Sequence, residues 1–175
     1  NEFGQLVLAR EDGTVLVLTD HNGDQRYDHI RSQGKLLKNI QGLLAINGQL
    51  VVSGQSDDGV GLFRLSDSNQ DGTLDKSEKI VGFTGDNLEH GPHGLALGPD
   101  GLIYGIVGNH SSLATPASDT SPYRVAYEGD LVTPRFEDPG GHAIGVNAPG
   151  GFVLRTDLTG RNTELFAGGI RNAYD

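Results

Sequence analysis

Apolar and polar residues alternate along much of this chain in short runs of period two, and the runs stop at glycine, asparagine or aspartate. Gly13-Thr14-Val15-Leu16-Val17-Leu18-Thr19, Gly61-Leu62-Phe63-Arg64-Leu65-Ser66 and Gly151-Phe152-Val153-Leu154-Arg155-Thr156-Asp157 are three such runs. A β-strand sends successive side chains to opposite faces, so this spacing predicts strands. A second pattern lies between them. Gln41 to Gly54 and His93 to Gly108 each read strand, glycine turn, strand, with Asn47-Gly48 and Asp100-Gly101 as the hairpin signals. No segment of helical period competes.

The runs are also spaced. Acidic loops follow the first two, and Asp20 to Asp67 and Asp28 to Asp75 are both 47 residues apart. The third run is followed by Leu158-Thr159-Gly160, a loop that has lost its acidic residues, and its Asp157 lies 90 residues after Asp67. A period of about 40–50 residues built from four short strands is the sign of β-propeller blades, each of which needs neighbours to cover its faces. The expected fold is therefore all-β, one partial β-propeller domain over residues 1–175 containing about three to four blades. That number does not close a ring of six. From about 109 to 150 the alternation fails and Ser, Pro, Thr, Gly and Asp dominate, which predicts a long irregular loop of the kind that carries function.

Composition narrows the partners. Thirteen basic against 23 acidic residues give a formal charge of −10, which repels phosphate backbones, so no nucleic-acid partner is expected. The absence of cysteine removes disulfides, thiolate metal sites and cysteine nucleophiles. No apolar run approaches the ~20 residues that span a bilayer, so no membrane insertion is expected. The chain opens at Asn1 without methionine, which suggests a processed or partial chain.

The most specific motif is Asp67-Ser68-Asn69-Gln70-Asp71-Gly72-Thr73-Leu74-Asp75-Lys76-Ser77-Glu78. Oxygen donors fall at positions one, three, five, nine and twelve of a calcium loop, the Thr73 carbonyl would serve position seven, and Gly72 permits the sharp turn at six. Asp67, Asn69, Asp71, Thr73, Asp75 and Glu78 are thus the candidate calcium ligands; a solvated turn wired by Asp and Asn is the alternative. An upstream echo places Asp20, Asn22, Asp24 and Asp28 in register, with Gln25 for the glycine and Arg31 where the twelfth-position glutamate would stand. There a weak calcium site and an ion-free turn are both open. Loops of this type suit the high calcium outside the cytoplasm, so an extracytoplasmic location, periplasmic or secreted, is expected.

Two further segments could carry chemistry. Glu89-His90-Gly91-Pro92-His93-Gly94 precedes a strand; a histidine there could take a proton from an alcohol, with a neighbouring carboxylate fixing its tautomer. A packing histidine is the alternative. Arg171-Asn172 offers a cationic fork beside an amide, suited to carboxylates or a quinone oxygen, although an ion pair at a strand end is the commoner role. Gln41, polar at the start of a strand, says nothing alone.

Together, Gln41-Gly42-Leu43-Leu44, His90 ahead of Gly98-Pro99-Asp100-Gly101, Ile103-Tyr104 and Gly169-Ile170-Arg171-Asn172 resemble the soluble quinoprotein glucose/sorbosone dehydrogenases, six-bladed propellers that use pyrroloquinoline quinone. Glu89 to Leu95 and Glu137 to Ala143 are similar to segments of the dehydrogenase-like propellers of planctomycete and related bacteria, often joined to helical repeats and a haem-binding cytochrome module. The resemblance implies oxidation of a sugar or alcohol by hydride transfer to the quinone, with His90 as base, Gln41, Arg171 and Asn172 as cofactor contacts, and a cytochrome as electron acceptor. This sequence departs from the enzymes at His93-Gly94-Leu95, where they have Gly-Arg-Leu, so His93 could be the functional histidine; its Gln41 segment is one residue shorter. The family's cofactor-bound calcium, lysine and later arginines would lie beyond Asp175. The rival expectation is a non-catalytic, calcium-stabilised propeller that binds a protein or glycan.

Overall fold

The computed structural model describes residues 4–85, 89–124, 136–137, 147–148 and 150–174. They form strands without any helix, and no helix among them is long and apolar enough to cross a membrane. The chain is all-β. β1 (Leu6–Ala9), β2 (Thr14–Thr19) and β3 (His29–Lys35) make a three-stranded antiparallel sheet. A second meander follows in β4 (Lys38–Ile46), β5 (Gln49–Ser56), β6 (Gly59–Ser66) and β7 (Lys76–Gly85). A third sheet begins with β8 (Pro92–Leu97) and β9 (Ile103–Val107). The chain then turns back as β10 (Ser111–Leu113), which adds a fifth strand to the second sheet beside β7. β11 (Phe136–Glu137) pairs with β12 (Asn147–Ala148), and β13 (Gly151–Thr156) and β14 (Glu164–Ile170) complete the third sheet in the order β14-β13-β9-β8.

These are the blade-like units expected from the 47-residue period, compatible with a propeller, although no closed ring is present among the described residues. The alternating runs become β2, β6 and β13, and the glycine-turn patterns become β4–β5 and β8–β9. At the tip of the β4–β5 hairpin, Asn47 and Gly48 have φ of 50° and 71°, the two positive values that a two-residue hairpin turn needs to match strand twist. Within the stretch from 109 to 150, residues 109–124 are more ordered than their composition suggests. Ser111–Leu113 is a strand, and Ser118 and Tyr123 donate backbone hydrogen bonds to Thr163 and Leu165. A two- or three-residue pairing carries too few side chains to leave a periodic signature in sequence.

The second sheet is covered on both faces. Leu50, Val52, Phe63 and Leu65 pack with Val15 and Leu37 of the first unit, whereas Val60, Leu62, Val81 and Phe83 pack with Val107, Phe152, Leu154 and Leu165 of the third. Adjacent residues Leu62 and Phe63 therefore serve different cores, as the pleat requires. Burying each such side chain contributes roughly 1.5–3 kcal/mol, so a unit loses much of its stability without its neighbours.

Adjacent sheets touch through β1, β4 and β8, the strands that begin each unit. Strand direction then sorts the turns onto two rims. The 20–28, 47–48, 67–75 and 157–160 turns share one, and the segments 89–91, 108–110 and 171–172, which follow β7, β9 and β14, share the other. The second rim is joined to the core by close contact. Ser53 Oγ donates to the His93 carbonyl at 2.9 Å, and Gly42 lies so near that carbonyl that an added Cβ would overlap it. Gly42→Ala is expected to destabilise the fold by about 1–3 kcal/mol, the cost of overpacking, measured as a lower urea midpoint at unchanged slope. An unchanged midpoint would show that β4 and β8 are not in this contact.

Candidate functional site

Three strand ends meet at the second of these rims. His90 and His93 stand at the entry to β8, Gly108-Asn109-His110 leaves β9, and Arg171-Asn172 leaves β14. Backbone bonds pin them together: Gly108 N to Gly91 O at 2.8 Å, Asn109 N to Arg171 O at 2.9 Å, His110 N to His90 O at 3.2 Å and Gly94 N to Tyr174 O at 2.9 Å. Gly108 is required by this approach, because a Cβ there would strike the His90 carbonyl and Asn172 Oδ1.

The side chains form a buried polar cluster. His93 is 1% exposed; its Nε2 lies 2.8 Å from the Glu89 carbonyl and 3.0 Å from Asn172 Oδ1. Asn172 Nδ2 donates to the same Glu89 carbonyl at 2.7 Å, which fixes the amide so that its oxygen faces the ring. With two acceptors against it, Nε2 carries the proton, and Nδ1 is left as a buried lone pair without a hydrogen-bond partner among the described residues. His90, also 1% exposed, places Nδ1 at 2.6 Å from Asn109 Oδ1, and Asn109 Nδ2 is a buried donor without a partner there. Rings close the cluster: His90 stacks on His110 with centroids 4.5 Å apart, and His93 lies against Tyr174 at 4.1 Å.

His90, His93, Asn172 and Glu89 are thus brought together, and Glu89 contributes its main-chain carbonyl. Arg171 is exposed and anchors Asn109 through its carbonyl. Gln41 is exposed on β4, one residue before the glycine beneath His93. Asn109, His110 and Tyr174 escaped the sequence reading; the glycine before Asn109 at a strand end was the available signal, and Tyr174 had none. The Glu137 to Ala143 segment lies outside the described residues apart from the backbone of Glu137.

On the opposite rim the two acidic loops share four backbone-to-side-chain bonds. Asp20 Oδ2 accepts from Gln25 N and Asp67 Oδ2 from Gly72 N; Asn22 and Asn69 accept from Asp24 N and Asp71 N; Asp24 and Asp71 accept from Arg26 N and Thr73 N; Asp28 and Asp75 accept from His21 N and Ser68 N, all within 2.6–3.0 Å. Gln25 takes the left-handed conformation, φ 68°, that Gly72 takes at 86°. The Ser68 hydroxyl and amide hold the Asp75 carboxyl below its usual range.

One buried carboxylate oxygen of these loops, Asp67 Oδ1, is without a partner among the described residues. Glu78 does not come back to the loop. It is the third residue of β7, directly across from Arg64, with Oε2 2.6 Å from the guanidinium, which lowers its carboxyl from the ordinary value. A helix leaving a twelve-residue calcium loop returns its last residue over the ion, whereas a strand rising ~3.3 Å per residue carries it away. Arg31, at the twelfth position of the upstream loop, likewise sits in β3 and donates to the Gly72 carbonyl of the other loop. No group of three or more His, Asp or Glu side chains is arranged to hold a metal among the described residues.

Nitrogen-detected imidazole spectra are expected to show His93 protonated at Nε2 and His90 at Nδ1, and Asn172→Ala is expected to weaken the first preference alone, since the Glu89 carbonyl still accepts from Nε2. Equal tautomer populations in the unaltered protein would contradict the network.

No curated protein matches the sequence. The family described as "Domain of unknown function (DUF7133)" matches residues 4–133, which takes in β1 to β10, both acidic loops and the His90–His93 segment, and stops before Arg171 and Asn172. With most of its length inside that match, the chain belongs to the DUF7133 family.

Proposed function

We propose that the chain is part of an extracytoplasmic, calcium-binding, quinoprotein-dehydrogenase-like propeller whose histidine rim oxidises a sugar or alcohol, passing electrons onward to a cytochrome. The observation that carries this reading is the unpartnered Nδ1 of His93. A ring held at Nε2 by a carbonyl and an amide oxygen is oriented, and the same two acceptors stabilise the imidazolium formed when Nδ1 takes the proton of a substrate hydroxyl. This favours His93 over His90, whose ring is engaged with Asn109 and His110. Bound pyrroloquinoline quinone would supply the two-electron acceptor for the carbon-bound hydrogen. The residues fit an oxygen-rich anion in kind: Arg171 provides a cation, Asn109 Nδ2 is a buried donor in want of an acceptor, and Asn172 and Gln41 are amides at the same rim.

The acidic loop fits a hard cation through Asp67 Oδ1, with Asn69, Asp71 and the Thr73 carbonyl as further donors and Glu78 excluded by its pairing with Arg64. In the upstream loop the corresponding oxygen, Asp20 Oδ1, accepts from Gly23 N at 2.7 Å, which favours the ion-free turn there.

A second reading rests on burial. Both imidazoles are 1% exposed and tie three strand ends together, which is what a structural histidine network in a non-catalytic, calcium-stabilised binding propeller would do. The two separate by experiment. The enzyme reading expects the protein to bind pyrroloquinoline quinone in a spectral titration and, with calcium, to reduce an artificial dye when given aldoses or alcohols. His93→Ala should lower that rate by about a hundred- to ten-thousandfold in a variant shown by circular dichroism to be folded. Neither quinone binding nor dye reduction leaves the binding module.

Calcium is tested separately. It is expected to raise the melting temperature, by a stabilisation of about 2.7 kcal/mol at a hundredfold excess over the dissociation constant. Asp67→Ala should abolish the shift and Glu78→Gln should preserve it; the reverse pattern would return Glu78 to the ion.

A further inference from the structure

One face of the first sheet is apolar and open. Leu6, Leu18 and Ile30 stand in register across β1, β2 and β3, and Leu8 and Leu16 form the next row on the same face. Leu6, Leu8 and Ile30 are exposed, Ile30 by 62%, and Leu16 and Leu18 are half-buried. The opposite face, through Val7, Ala9 and Val15, meets the second sheet. Five large aliphatic side chains side by side on a sheet mark a surface that a partner covers.

The internal repeat says which partner. Moved forward by the 47-residue interval, Leu16 and Leu18 become Phe63 and Leu65 of β6, which are only 2% and 1% exposed because the first sheet lies over them. The same step carries Val15 to Leu62, and each of these faces the sheet that follows its own. Every sheet thus has a leading face, of the Phe63 kind, and a trailing face, of the Leu62 kind. Twice in the molecule the trailing face of one sheet packs on the leading face of the next. In the third sheet Phe152 and Leu154 form the leading face. Its trailing face carries Tyr104, Ile106, Val153 and the exposed Phe166, with Arg155 paired across strands to Glu164. Arg64, next to Leu62 on the trailing face of the second sheet, pairs with Glu78 in the same way. The two open faces are therefore the two halves of an interface that the chain already forms twice.

We propose that a second copy of this chain covers both, the trailing face of the third sheet in each copy packing on the leading face of the first sheet in the other. Contacts between unlike patches close into a ring where the rotation allows it. Propeller rings hold about four to eight blades, so the three blade-like sheets of one copy are too few and those of two copies suffice. The association is independent of the catalytic and calcium readings, because neither the histidine rim nor the acidic loops supply its faces.

The test is sedimentation equilibrium of the whole chain, and a mass twice the single-chain 18.5 kDa is expected. Ile30→Glu and Phe166→Lys each put a charge at an exposed position of the single chain that becomes buried in the pair. Each should raise the dissociation constant of the pair about a hundredfold or more, with an unchanged circular dichroism spectrum. Mixed one to one, the two variants should associate again, since one interface is then unaltered and the other sets opposite charges against each other. A single-chain mass at concentrations up to ~100 μM overturns the proposal; flotation of that single chain with phosphatidylcholine vesicles would assign the face to lipid. A pair indifferent to Phe166→Lys, which would join first sheet to first sheet, also overturns it, as do masses that grow beyond two copies or variants that fail to associate when mixed.

Discussion

Leu62 and Phe63 are neighbours in sequence and lie in different cores. This two-sided burial of the second sheet is the constraint from which the remaining architecture follows. Antiparallel strands with both faces apolar cannot stand alone in water, so each sheet must be flanked, and the contacts run through β1, β4 and β8. Once those strands are side by side, the direction of each fixes where its turns fall. The histidine cluster and the acidic loops are at opposite rims because β4 and β8 leave one rim and β6 arrives at the other.

The rims use the same device for different ends. On one, glycines at 42 and 108 let backbone approach backbone, and the carbonyls of Glu89, His90 and His93 become part of the cluster. On the other, Asp and Asn side chains satisfy the amides of a tight loop, leaving one oxygen of Asp67 over. The exit from that loop decides its chemistry. A strand takes the twelfth residue away from the loop and gives it a cross-strand partner, Arg64 for Glu78, while Arg31 on the previous repeat bridges to its neighbour.

Much of this was legible along the chain because it is local. The strands of period two, the Asn47-Gly48 turn and the 47-residue repeat depend on side-chain alternation and on backbone conformations that few residues accept, and they read directly. His90, His93, Asn109 and Asn172 come from three strand ends. Resemblance could suggest that some of them share a site, whereas spacing along the chain carries no information about groups that far apart. Glu89 shows the limit well: a carboxylate beside a histidine invites a charge-based role, yet the group that orients His93 is a carbonyl, which every residue has and no sequence pattern marks. β10 was missed for a similar reason, since Ser111–Leu113 pairs with a sheet whose other strands precede it, and three residues cannot declare a period.

What the sequence by itself determined is the class of element and its repeat, together with the turn chemistry of the loops, because these follow from interactions within a few residues. Only the tertiary structure decided which faces are covered, that Glu78 meets Arg64 and not the loop, and which nitrogen of His93 is left without a partner. Those facts depend on groups distant in sequence being held within hydrogen-bond reach, and the packing of sheet on sheet sets that distance.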